Sequence, residues 1–178
     1  MISLQEARDI IDKLNYNSKT ETVELQSILG RSLCEDVCSD VNIPPFDKSA
    51  MDGYACKAED LPGTLNIVEE IAAGYEPKHE ILGQQCARIS TGAKIPLGAN
   101  CVVMQEDADI VGTNQIKIHK PASKTNICVL AEDVKANEMV LASGTLVKPH
   151  HVAHAGGCGA HYRNGLPTAK NNGGQHGQ

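Results

Sequence analysis

Two carboxylates, Asp47 and Asp52, lie in the stretch Pro44-Pro45-Phe46-Asp47-Lys48-Ser49-Ala50-Met51-Asp52-Gly53-Tyr54-Ala55. Carboxylate oxygens bind hard cations, so a stretch that holds acids in fixed places is a candidate site. The paired prolines fix φ and remove two backbone donors. The residue before each is pushed to extended geometry. Ser49 and Ala50 are small, so a backbone or a ligand can approach closely. Asp52-Gly53 permits a sharp turn with positive φ. A buried structural loop whose aspartates cap turns would account for the same residues.

Two further loops carry suitable groups. In Arg88-Ile89-Ser90-Thr91-Gly92-Ala93-Lys94-Ile95-Pro96 a hydroxyl and a glycine follow a strand, which leaves backbone N–H groups to face an anion. Lys94 would add charge there; a plain tight turn is the alternative. In Ala131-Glu132-Asp133-Val134 the adjacent acids point to different sides. Asp133 could join Asp52 across space as an oxygen ligand of a hard cation such as Mg²⁺, or cap a turn. His150, His151, His154, Cys158 and His161 could be read as metal ligands, but biased tails produce such clusters by chance and no ligand spacing there is firm.

The elements that must position these loops are mostly strands. Ser3-Leu4-Gln5-Glu6 fits a capping box. Leu4, Ala7, Ile10, Ile11 and Leu14 recur at helical spacing, so an amphipathic helix opens the chain and ends in the polar run Asn15 to Lys19. Its apolar stripe could face this chain or a partner subunit. Thr22 to Leu25 reads as a brief strand and Gln26 to Leu29 as a helical turn stopped by Gly30. Ser32 to Val41 is an extended arm. Strands are expected at Leu65–Ile71, Cys86–Ile89 and Cys101–Met104. Hairpins are expected at Asp109–Val111 with Gln115–Ile118, and at Met139–Leu141 with Thr145–Val147. The fold class is α+β: an N-terminal helix and extended arm, a β-rich barrel or sandwich over 47–134, and a disordered tail over 156–178. Residues 1–46 and 135–155 form a linker or dimerisation domain.

Composition narrows the function. The chain has 178 residues, 41% hydrophobic and only 3% aromatic, so its core must be aliphatic. A net charge of −6 argues against a nucleic-acid surface. No apolar run reaches membrane-spanning length, and the N-terminus is not a secretory signal. Seven cysteines occur singly, without a Cys-x-x-Cys pair, as in a reduced cytoplasmic protein.

Taken together, the motifs resemble the N-terminal half of the MoeA family, the molybdopterin molybdenumtransferases, to which the gephyrin E domain is related. They are Gly30-Arg31-Ser32-Leu33-Cys34-Glu35-Asp36-Val37, the proline loop, Arg88 to Ala93 with Pro96, Gly98-Ala99 and Val102-Val103-Met104, Glu132-Asp133-Val134, and Gly144-Thr145-Leu146. The resemblance runs from about Ile2 to about Ala155. It implies insertion of molybdate into adenylated molybdopterin with release of AMP, assisted by Mg²⁺. It implies Asp52, Thr91 and Asp133 as catalytic residues, Asp52 also as the metal ligand, and Ser49 and Gly92 at the bound substrate. Asp47 is left to shape the loop. It further implies a homodimer whose site lies between subunits. Ala131 stands where the family has Gly, Ser90 where it has Met, and Cys128-Val129 where it has basic residues. The family continues into an α/β pterin-binding domain with no counterpart here, so a truncated half-site completed by a separate pterin-binding domain is expected. Two other readings remain: a non-catalytic dimerisation or interaction module of the same fold, and a cation-dependent hydrolase of another phosphorylated compound.

Overall fold

The computed structural model describes residues 2–13, 20–158 and 168–170. In chain order, helix α1 (Leu4–Lys13) precedes β1 (Thr20–Thr22), a 3₁₀ turn at Leu25–Ser27, β2 (Ser32–Leu33) and β3 (Val37–Cys38). Then follow β4 (Lys48–Ser49), β5 (Gly53–Cys56), β6 (Gly63–Ile71), β7 (Gln85–Ile89), β8 (Cys101–Met104), β9 (Ala108–Gly112), β10 (Gln115–Ile118) and β11 (Ile127–Cys128). The chain returns through β12 (Met139–Leu141), α2 (Pro149–Gly157) and β13 (Thr168–Lys170). It is mostly β with two helices, divided into two compact units: Val41–Ala136, and Met1–Asp40 with Asn137–Gln178.

The unit Val41–Ala136 is built on a six-stranded sheet in the order β8-β5-β7-β6-β10-β9, curled into a half-barrel. Alternation along the strands sends neighbouring residues to opposite faces. Tyr54, Cys56, Leu65, Cys86, Cys101, Val103, Ile116 and Ile118 make one buried cluster. Ala55, Ile71, Ile81, Ala87, Ile89, Ala93 and Val102 make another. Both are almost wholly aliphatic or thiol, as the scarcity of aromatics requires. β6 and β7 pair in parallel, so a long connection must link them. The Glu69 carboxylate pins that connection by accepting the Lys78 and His79 N–H groups. The expected hairpin at Gly112-Thr113-Asn114 forms as β9–β10.

In the other unit, Ser3 and Glu6 cap α1 reciprocally, at 2.7 Å and 3.2 Å. Leu4 and Ile10 are exposed on this helix; Leu14 to Lys19 lie outside the described residues. A small core joins Leu25, Ile28, Leu33, Val147 and Ala155. Three local expectations need correcting. The brief strand lies at Thr20–Thr22, and Leu25 starts the 3₁₀ turn instead. Met139–Leu141 and Thr145–Val147 do not pair with each other. β12 pairs with β3, and the second segment pairs with the arm, Leu33 donating to Thr145 and Val147 to Arg31. The turn at Gly144 is real, yet both flanks find better partners in the extended arm. Finally, α2 runs through Gly157 and Cys158 is buried, so ordered chain passes the expected boundary at 156. Thr168–Lys170 pairs with β1 and β2; the rest of the expected tail lies outside the described residues.

Candidate functional site

The proline loop is tied down along its whole length. The Ile43–Pro44 peptide is cis. The Asp47 carboxylate accepts the Leu130 N–H at 2.7 Å, and its carbonyl accepts the Ile95 N–H. β4 pairs with β11, Ser49 opposite Ile127. The Ala50 N–H goes to the Asn126 carbonyl, and the Gln105 N–H comes to the Asp52 carbonyl. Next in sequence, Gly53 sits so close to β8 that a Cβ would meet the Val103 carbonyl oxygen at 2.0 Å. Only glycine fits there, and this fixes where Asp52 begins its turn.

These anchors place Asp52 against the second loop. One oxygen, Oδ1, accepts both the Thr91 N–H at 2.7 Å and the Thr91 hydroxyl at 2.9 Å. Oδ2 carries no hydrogen bond among the described residues. The Thr91 amide, and secondarily its hydroxyl, hold the Asp52 carboxyl below its ordinary range, because both donate to the charged form. Asp52 is exposed, so the anion is presented to solvent. The arrangement leaves a charged oxygen in a fixed direction, suited to a hard cation or a proton.

The other expected residues fare differently. Ser49 is buried, and its hydroxyl is engaged by Met51, donating to the carbonyl and accepting from the N–H. It shapes the loop and is not open to a ligand. Gly92 turns with φ +81°, and its N–H goes to the Ser49 carbonyl. With the Thr91 amide on Asp52 and the Ala93 amide on Ser90, no cradle of free amides forms for an anion. Lys94 is drawn to Glu76 at 2.7 Å and lies over the Phe46 ring. Asp133 is exposed, and its N–H reaches the Ile43 carbonyl at the opposite end of the proline loop. Among the described residues nothing links its carboxylate to Asp52 or Thr91, and no three His, Cys, Asp or Glu side chains converge as a metal centre.

Sequence reasoning passed over Asn126. Its φ is +50°; its carbonyl holds Ala50 and its side-chain amide donates to the Val102 carbonyl at 2.8 Å. An Asn between two loops was the available signal, since Asn tolerates this conformation better than most residues. A cavity of about 510 Å³ opens beside it, lined by Met104, Glu106, His119, Lys120, Lys124 and others.

Residues 2–159 match the MoeA N-terminal region (domain I and II). The chain belongs to the MoeA family. It is 36% identical over 153 residues to a molybdopterin molybdenumtransferase of Haemophilus influenzae, covering 84% of this chain and 38% of the relative. It is 44% identical over 105 residues to the molybdopterin molybdenumtransferase of a Nostoc species, covering 55% of this chain and 24% of the relative. The solved moeA molybdopterin biosynthesis protein of Pyrococcus horikoshii superposes with a TM-score of 0.83 at 35% identity, over 96% of this chain and 45% of that one. The chain thus spans less than half the length of these MoeA relatives.

Proposed function

We propose that this chain contributes the Asp52–Thr91 wall of a site that inserts molybdate into adenylated molybdopterin and releases AMP, in the cytoplasm. The observation that carries the reading is the double hydrogen bond from Thr91 to Asp52 Oδ1, which leaves Oδ2 without a hydrogen bond among the described residues. Family membership supplies the substrate class. The family resemblance implies a pterin-binding wall outside the residues matched here, and a pterin-binding domain is the proposed partner that completes the site.

Mg²⁺ fits Asp52 by donor chemistry. It takes one or two carboxylates and completes its shell with water and substrate phosphate oxygens. Oδ2 of Asp52 is such a carboxylate oxygen. When bound, the ion would neutralise phosphate charge as the adenylyl group leaves. This chain's own residues do the positioning. Thr91 fixes the Asp52 rotamer, Gly92 turns the loop, and Ser49 and Asn126 hold the backbone before Asp52. In the same reading the exposed apolar residues of α1 pair two copies into a homodimer.

The test adds adenylated molybdopterin, molybdate and Mg²⁺ to the chain, with and without a separately expressed pterin-binding domain, and follows AMP. Release only with the added domain supports the half-site. Silence in both arms defeats the catalytic reading and favours an interaction module. In the complemented assay Asp52→Asn is expected to lower the rate by at least about tenfold, the effect of removing one preorganised charged group; an unchanged rate would remove Asp52 from the mechanism. Sedimentation tests the dimer, and a monomer at all concentrations rejects it.

A further inference from the structure

Helix α2 carries a pair of imidazoles that the site above does not use. His150 and His154 stand at i and i+4 on Pro149–Gly157, and both are exposed. Side chains at that spacing share one face with Cβ atoms about 5–6 Å apart. Two helical histidines so spaced can hold a single metal ion. The neighbouring candidates are removed by their surroundings. His151 is half-buried and lines a small apolar cavity with Leu25, Val147 and Val152. Its Nδ1 accepts the Lys148 N–H at 3.3 Å. Cys158, one turn further on, is buried. Neither the His150 nor the His154 ring has a hydrogen bond among the described residues; the His150 ring packs edge-on against His151, with centroids 4.1 Å apart.

We propose that His150 and His154 form a two-imidazole site for a divalent transition metal on the outer face of α2. With no third His, Cys, Asp or Glu converging among the described residues, the remaining coordination positions are open to water. Imidazole nitrogen selects Cu²⁺ over Ni²⁺ and Zn²⁺, and discriminates against Mg²⁺, which prefers oxygen. The site therefore takes a different class of ion from the one Asp52 suits.

The experiment titrates the full chain calorimetrically with Cu²⁺, Ni²⁺, Zn²⁺ and Mg²⁺, alongside His150→Gln, His154→Gln and, as controls, His79→Gln and His119→Gln. Circular dichroism checks the helix in each. The expected result is saturable Cu²⁺ binding, one ion per chain, weakened more than about tenfold in either α2 variant, since even losing a ligand's supporting partner costs that much. The controls should bind as the parent does. Electron paramagnetic resonance of the Cu²⁺-loaded parent should show two coupled imidazole nitrogens, and one in each α2 variant. No saturable binding, full-strength binding in both α2 variants, or loss that follows His79 or His119 overturns the proposal.

Discussion

At the scale of single residues, Asp52 and Thr91 act as one unit. Thr91 offers two donors to the same oxygen, and the amide contributes more to the lowered Asp52 pKa than the hydroxyl does. Thr91→Val removes the hydroxyl and keeps the amide. The Asp52 pKa should therefore rise part of the way to its ordinary range, read by NMR of the side-chain carboxyl carbon during a pH titration. A value that does not move would mean the hydroxyl is not donating. The pH dependence has a definite sign. Because the folded pKa is depressed, the clamp's contribution is complete above the ordinary Asp pKa and is lost as pH falls through the lowered folded value. Acid should loosen the Thr-Gly loop from the proline loop. Alkaline pH should leave it intact.

At the scale of elements, the strands show what pattern can reveal and where it stops. Cys86–Ile89 and the β9–β10 hairpin are legible from the turns beside them, and Cys101–Met104 from its short apolar run. The turn at Gly144 is legible but the partners of its flanks are not, because pairing with a distant arm leaves no local mark. The site shows the same division. Asp52 and Thr91 were named from the sequence, but the inward direction of the Gly92 amide and the burial of Ser49 depend on contacts between loops far apart in the chain. Gly53 is the element-scale constraint on the site. Gly53→Ala would drive a Cβ into the Val103 carbonyl, and overpacking of this kind costs about 1–3 kcal/mol. A lower denaturation midpoint, together with a shifted Asp52 resonance, is the expected outcome; an unchanged midpoint would show that β5 and β8 can part without cost. The thiols allow a second check on the sheet. Cys56, Cys86 and Cys101 are sealed in one core. Burial pushes the Cys86 thiol up to about 12, and a hydrogen bond with Cys101, then burial, raises Cys56. Alkylation read by mass spectrometry should label exposed Cys38 first and spare these three until the protein unfolds. Early labelling of any of the three would mean the sheet opens readily.

At the scale of the whole molecule, the question is which part of the chain the candidate site needs. Every contact that builds it lies within Val41–Ala136: Thr91 on Asp52, Leu130 on Asp47, Asn126 beneath Ala50, and Asp133 on Ile43. The two ends of this unit also meet, through the antiparallel bridge of Ile43 with Val134 and the Ala136 N–H on the Asn42 side chain. A segment with its own buried core and adjoining ends is one that can be cut out without stretching it. The fragment 41–136 is therefore expected to unfold in one cooperative transition and to keep the lowered Asp52 pKa of the full chain, while losing the copper site of α2 and any association that depends on α1. A fragment that folds but titrates at Asp52 like an ordinary aspartate would mean that the other unit shapes the clamp from outside. A fragment that fails to fold would mean that its core is completed by residues before Val41 or after Ala136.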